Sequence, residues 1–186
     1  MLKKIVIIGP ESTGKSTLGE QLAAHYETLC CPEFARQYLL TNGTAYGFHD
    51  LLTIAKGQLT LEDEYTAKLE QQSLEYLENG GQIPLFIDTD MYVMKVWSEY
   101  VFEQCHRFIL DEITKRKYDL YLLCDIDLPW VKDELREYPD LKTRKELFKM
   151  YKDLLVNQET PWVLINGKNE ERLQKAIEAV DKILED

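Results

Sequence analysis

No apolar run in the 186-residue chain is long enough to span a bilayer. A secretory leader is missing as well. Lys3 and Lys4 precede only four apolar residues, then Gly9-Pro10, with no small-residue cleavage site. A membrane partner is therefore not expected, and the chain is read as cytoplasmic. Positive charge is short: 22 Lys and Arg stand against 33 Asp and Glu, a formal net charge of −11. A broad nucleic-acid surface needs clustered cations, so nucleic acid is not expected as a partner. A small phosphorylated ligand is still allowed, because backbone N–H groups and a few local cations hold one.

Cysteine is scarce too, at four residues. Cys30 and Cys31 are adjacent in an apolar run and Cys124 closes another, which suits small buried hydrophobes. Cys105 precedes His106, but no second Cys-His pair completes a zinc site. Neither a disulfide framework, a structural metal nor a catalytic thiol is expected. Repeats, low-complexity stretches and linkers are absent, so residues 1–186 read as a single domain.

Five apolar runs remain: KKIVIIG, TLCCP, PLFID, YDLYLLCD and PWVLING. Most lack apolar–polar alternation, the pattern of strands covered on both faces. Helical spacing separates them. Leu18, Leu22 and Tyr26 recur after the first run, and Leu173, Ala176, Ile177, Val180, Ile183 and Leu184 form a stripe at the end. A long helical stretch from about 49 to 78 stops at Asn79-Gly80-Gly81. The expected fold is α/β: a five-stranded parallel sheet flanked by helices.

After the first run comes GPESTGKST, residues 9–17, which fits G-x-x-x-x-G-K-[ST] between a strand and an amphipathic helix. That context makes Gly9, Glu11, Ser12, Thr13, Gly14, Lys15, Ser16 and Thr17 the expected nucleoside-triphosphate loop. Lys15 would reach the β- and γ-phosphates and Ser16 would ligate Mg²⁺. The matching acids lie in PLFIDTD. Asp88, at the strand end, is the second expected Mg²⁺ residue, and Asp90 is expected to face an acceptor or to cap the next helix.

Three kinds of phosphate chemistry compete. A GTPase needs Asn-Lys-x-Asp, and the string at 166–169 is Asn-Gly-Lys-Asn. A remodelling ATPase usually has Glu after the strand-end Asp, where this chain has Thr89. A small kinase needs a lid with arginines to gather the transferring phosphoryl group and exclude water. The charged segment at about 129–145, with Arg136 and Arg144, is the expected lid.

Taken in order, GPESTGKSTL, PEFARQYL, IAKGQ, FIDTD and YDLYLLCDIDLPWVKDELR resemble the ribosylnicotinamide kinase domain of NadR-type proteins, over about residues 5–172. The resemblance implies an adenylate-kinase-like P-loop fold. It also implies ATP- and Mg²⁺-dependent phosphorylation of the 5′-hydroxyl of a nucleoside substrate, nicotinamide riboside. Other nucleosides or nucleotides, and an ATP-dependent switch, stay open as alternatives, as does a homo-oligomer. Glu134 departs from the pattern, which has Gly there. The phosphate-loop strand starts at residue 3, so no adenylyltransferase domain is expected before it.

Read with the resemblance, Glu33 and Asp88 are the two candidates for the base. Glu11 is expected to find a partner in ribose hydroxyls or an arginine, since an unpaired buried carboxylate is costly. Arg36 would bind a phosphate oxygen or pair with Glu33. A flat cationic ring favours π faces, so Tyr92, Trp97 and Trp130 are candidates for the acceptor slot and Tyr38 a weaker one. Gln58 joins the set on the resemblance alone.

Overall fold

The structure, a computed structural model, describes residues 1–185. Each of the five apolar runs forms a strand: β1 (Leu2–Ile8), β2 (Cys30–Cys31), β3 (Ile83–Asp88), β4 (Leu120–Cys124) and β5 (Trp162–Ile165). All pairings are parallel, in the order β2-β3-β1-β4-β5. β1 is central. The chain leaves it first towards β2 and β3, then crosses to β4 and β5. That reversal opens a crevice beyond the carboxyl ends of β1, β3 and β4, the usual ligand edge of such sheets.

The helices are α1 (Lys15–His25), α2 (Phe34–Asn42), α3 (Phe48–Gln72), α4 (Leu74–Glu78), α5 (Met91–Phe102), α6 (Arg107–Lys115), α7 (Leu141–Val156) and α8 (Glu170–Glu185). Alternate strand residues face opposite layers. Ile5, Ile7, Phe86 and Leu122 pack on α1 and on Ala176, Ala179 and Val180 of α8. Val6, Ile8, Ile87 and Leu123 pack on α5 and on Leu147, Tyr151 and Leu155 of α7. A third cluster joins α2, α3, α5 and α6 through Ala35, Leu51, Ile54, Met94 and Ile109. The stripe expected at the end of the chain is the buried face of α8.

The expected helix at 49–78 is split at Ser73, whose N–H closes α3 on Leu69 O. The charged segment also differs from the expectation. Residues 125–140 carry neither helix nor strand, and α7 begins only at Leu141, with Asp140 as its N-cap. The lid is therefore an irregular strap, and Arg144 lies on the first turn of α7.

Among the described residues, no helix is long and apolar enough to cross a membrane. The four cysteines are free thiols.

Candidate active site

The phosphate loop turns between β1 and α1. Gly9 (φ 142°) lies where a Cβ would meet the Cys124 carbonyl oxygen at 2.7 Å, so the close approach of β1 to β4 requires glycine. Gly14, at φ 78°, is the N-cap of α1, with no side-chain cap and no acid in the first turn. The first amide groups of α1 are thus left for a ligand, and with the helix dipole they form an anion site. Thr13 is buried and its hydroxyl donates to Pro10 O at 2.7 Å, bracing the loop. Lys15 Nζ donates to the same carbonyl at 3.0 Å. Residues 9–17 all line one cavity of about 780 Å³.

Asp88 lines it as well and accepts from Ser16 Oγ at 2.5 Å through Oδ2. Its Oδ1 is buried with no partner. Burial raises the Asp88 pKa, against the pull of Lys15 and the Ser16 hydrogen bond. An orphaned carboxylate oxygen beside a serine hydroxyl is a fitting seat for a divalent cation. Among the described residues no group of three His, Cys, Asp or Glu could hold a metal. This two-residue seat suits Mg²⁺, which keeps waters and phosphate oxygens as its other ligands.

Asp90 does not face the cavity, contrary to the expectation of an acceptor ligand. The backbone turns over at Thr89, which has φ 81°, a rare value for a β-branched residue. The two acids consequently leave in different directions. Asp90 is 2 % exposed, caps α5 through Tyr92 N (3.0 Å) and Val93 N (3.3 Å), and accepts from Tyr121 Oη at 2.9 Å. Only its capping role is seen.

Glu33 is the N-cap position of α2 and lines the cavity. Burial first, then the like charge of Asp88, raises its pKa, while Lys15 and Arg36 pull it down. Gln58 is behind it rather than in the cavity. Buried at 1 % exposure, it accepts from Phe34 N at 2.7 Å and donates to Pro32 O at 3.3 Å. It therefore clamps the turn that carries Glu33, which corrects its expected contact with substrate. Cys30 also reaches the cavity wall, but burial, then nearby Asp88 and Glu20, push its thiol up to about 12.

Arg36 does not pair with Glu33. It forms a bidentate ion pair with Asp133 of the lid. Arg136 lines the cavity and donates to Val131 O at 2.6 Å. Arg144 is placed differently from its expected role on a phosphoryl group. It is 4 % exposed and absent from the cavity wall, and its Nη2 donates to Leu128 O (3.2 Å) and Ser12 O (3.5 Å). Trp130 is likewise off the cavity, and its Nε1 donates to Glu11 Oε1 at 2.9 Å.

Of the aromatic candidates, Trp97 lines the cavity and Tyr92 does not. Tyr92 packs instead towards Tyr121, with ring centroids 5.5 Å apart. Tyr38, the weaker candidate, is also off the wall and donates to Asp50. Trp97 meets residues that sequence reasoning missed. Its Nε1 donates to Tyr46 Oη at 2.9 Å, the two rings meet edge-on at 4.9 Å, and Tyr100, Tyr138 and Tyr151 complete the wall. Arg172 was missed as well. It joins the lid root to the loop through Asp127 (2.5 Å) and Thr13 O (2.8 Å). Asp133 and Tyr138 could have been sought in the lid segment; Tyr46, between two helices, gave no sequence signal.

A family model described as an AAA domain matches residues 4–172. Among curated proteins, the trifunctional NAD biosynthesis/regulator protein NadR of Escherichia coli K12 is 24 % identical over 188 aligned positions. The NadR of Salmonella typhimurium LT2 is also 24 % identical. Each alignment covers 98 % of this chain and 43 % of the relative, so the chain spans less than half their length. Among solved structures, a NadR protein in complex with NR superposes with a TM-score of 0.79 at 22 % identity, covering 99 % of this chain and 50 % of that one. A NadR complex with NAD and AMP-PNP gives 0.74 at 21 % identity, with the same coverage. Thymidylate kinase from Ehrlichia chaffeensis gives 0.65 at 14 % identity, covering 96 % and 98 %. Loop, strand order and family model thus agree over the same residues: the fold is that of the P-loop kinases, the chain is homologous to NadR, and it belongs to this AAA-domain family.

Proposed function

We propose that the chain is an ATP·Mg²⁺-dependent kinase that phosphorylates the 5′-hydroxyl of nicotinamide riboside, giving nicotinamide mononucleotide for NAD salvage. The observation that carries this is one continuous cavity with the phosphate loop at one end and an aromatic, acid-rich wall at the other. Glu33 lies within reach of the charges of Asp88, Lys15 and Arg36. Beyond the loop the lining holds Glu33, Asp133, Glu134 and Glu137 against two cations, Arg36, which pairs with Asp133, and Arg136. A flat cationic ring beside Trp97 and Tyr46 fits such a wall. A phosphorylated acceptor would bring further negative charge to that acid-rich wall. The similar NadR structures, one in complex with NR and one with NAD and AMP-PNP, support the same pair of ligands.

In this reading the α1 amides and Lys15 hold the β- and γ-phosphates. Ser16 and Asp88 would hold Mg²⁺, which neutralises charge on the phosphate oxygens when bound. Glu33 is the better base of the two candidates. Burial raises the pKa of both, so the choice rests on geometry: Asp88 is engaged with Ser16 in the cation seat, while Glu33 lines the cavity from the start of α2. Arg136 takes developing charge from the lid side. Catalysis is positioning and charge stabilisation rather than covalent chemistry.

The test is ADP release from ATP·Mg²⁺ with nicotinamide riboside, with a panel of other nucleosides and nucleotides, and with no acceptor. Acceleration by nicotinamide riboside with appearance of the mononucleotide is the expected result. Acceleration by a different acceptor alone removes the substrate assignment. Slow release indifferent to every acceptor removes the kinase assignment and favours a switch.

A further inference from the structure

We infer that Glu11 is a positioning residue for the acceptor site: from the phosphate loop, its carboxylate holds the lid backbone on which the acceptor wall is hung. Oε1 accepts from Tyr138 N at 2.7 Å and from Trp130 Nε1 at 2.9 Å, and Oε2 accepts from Glu137 N at 3.0 Å. Next to it, Ser12 Oγ accepts from Val131 N at 2.9 Å. The lid from 130 to 138 is therefore fastened to residues 11 and 12.

The two amides that Glu11 holds belong to Glu137 and Tyr138, residues that line the cavity. Tyr46 Oη donates to Glu137 Oε2 at 2.9 Å and itself accepts from Trp97 Nε1. The Tyr138 ring stands edge-on to Tyr100, with centroids 5.3 Å apart at 89°. Two short chains of contacts thus run from Glu11 through the lid to α5. No acceptor hydroxyl or arginine is needed to satisfy the carboxylate, because three N–H donors already do so.

This placement also explains an acid in a polyphosphate loop. With the lid down, N–H donors offset its charge. With the lid raised, the charge is left beside the phosphate site. Lid closure and triphosphate binding then favour one another, and by linkage the coupling runs both ways.

The inference deepens the kinase reading and rests on it only for its kinetic arm. The structural arm needs no substrate: amide hydrogen exchange at Glu137 and Tyr138 in the wild type, Glu11→Gln and Glu11→Ala. We expect exchange at both amides to quicken about tenfold or more in Glu11→Ala, the scale of one lost charged hydrogen bond. In Glu11→Gln one oxygen remains, so Tyr138 should stay protected while Glu137, facing the carboxamide NH₂, should not. Unchanged exchange at both amides in Glu11→Ala overturns the latch. In the kinetic arm, Glu11→Ala should raise the acceptor KM by about tenfold more than the ATP KM. The share of ADP released without phosphorylated acceptor should rise with it. Equal changes in both KM values, or a change in ATP KM alone, overturn the positioning role. A wild type that phosphorylates no nucleoside sinks the kinase reading, while the exchange result still judges the latch.

Discussion

Arg36 of α2 and Asp133 of the lid, 97 residues apart in sequence, meet in a two-pronged ion pair: Nη1 to Oδ1 at 3.2 Å and Nη2 to Oδ2 at 3.0 Å. The Arg36 side chain is 48 % exposed, so the pair adds only about 0–1 kcal/mol to global stability. Its use is to bring the lid to α2. Arg36→Ala and Asp133→Asn should each leave the thermal midpoint nearly unchanged and raise the acceptor KM about three- to tenfold. The effect should be smaller at high salt, where the wild-type pair is itself screened. A salt-independent loss of kcat would count against this reading.

Lys15 is fixed only by the Pro10 carbonyl among the described residues. Lys15→Ala should lower kcat by about 10²–10³-fold, the scale for losing one preorganised charge partner. It should alter stability by less than about 1 kcal/mol. Steady-state kinetics with a parallel denaturation curve checks both halves. Retained turnover would remove Lys15 from the site.

Asp88 and Ser16 form the proposed Mg²⁺ seat. Asp88→Asn should raise the Mg²⁺ concentration needed for half-maximal activity by about tenfold or more, since the seat loses its one charged ligand. It should also relieve the like charge on Glu33 and shift the acid limb of the pH–rate profile to lower pH. A Mg²⁺ titration at several pH values measures both. An unmoved Mg²⁺ requirement would place the cation elsewhere.

Asp90 has its pKa raised to about 7 by burial, despite its bonds to Tyr121, Val93 and Tyr92, with Glu62 adding to the rise. Tyr118, Tyr121, Tyr92 and Tyr151 also feel this charge. The folded state thus binds the proton more tightly than the unfolded chain does. This contribution to stability falls as pH rises from about 3.8 to about 7, and is lowest above that window. Asp90→Asn keeps a capping oxygen and removes the titration. Its stability relative to the wild type should therefore grow as pH rises across the window. Urea unfolding at pH 4, 5.5 and 7 checks the sign, and a difference that shrinks with pH would refute it. Asp90→Ala should cost about 1 kcal/mol for the cap and more for Tyr121.

Much of this protein was legible from local pattern. Each apolar run became a strand, because a strand covered on both faces must be apolar at every position. The phosphate loop was legible because its pattern is local: the glycines, Lys15 and Ser16 lie within one short stretch of backbone. Asp88 followed from its place at a strand end.

What the sequence left open were directions and distant partners. Asp88 and Asp90 look equivalent in a strand that alternates, but one left-handed residue, Thr89, sends them apart. Gln58 and Trp130 have side chains suited to a ligand, and packing assigned them to Phe34 N and Glu11 instead. Arg144 is spaced like a lid cation, yet the late start of α7 aims it at backbone carbonyls. Tyr46, Tyr138 and Asp133 entered the site because the β4–α7 strap folds back over α2 and α5. The sequence by itself determined the sheet and the phosphate loop, since periodicity and turn geometry are short-range. The tertiary structure alone decided which acids and aromatics share the cavity. Such contacts join segments about 50 to 130 residues apart, and the choice among partners rests on the packing of the whole chain.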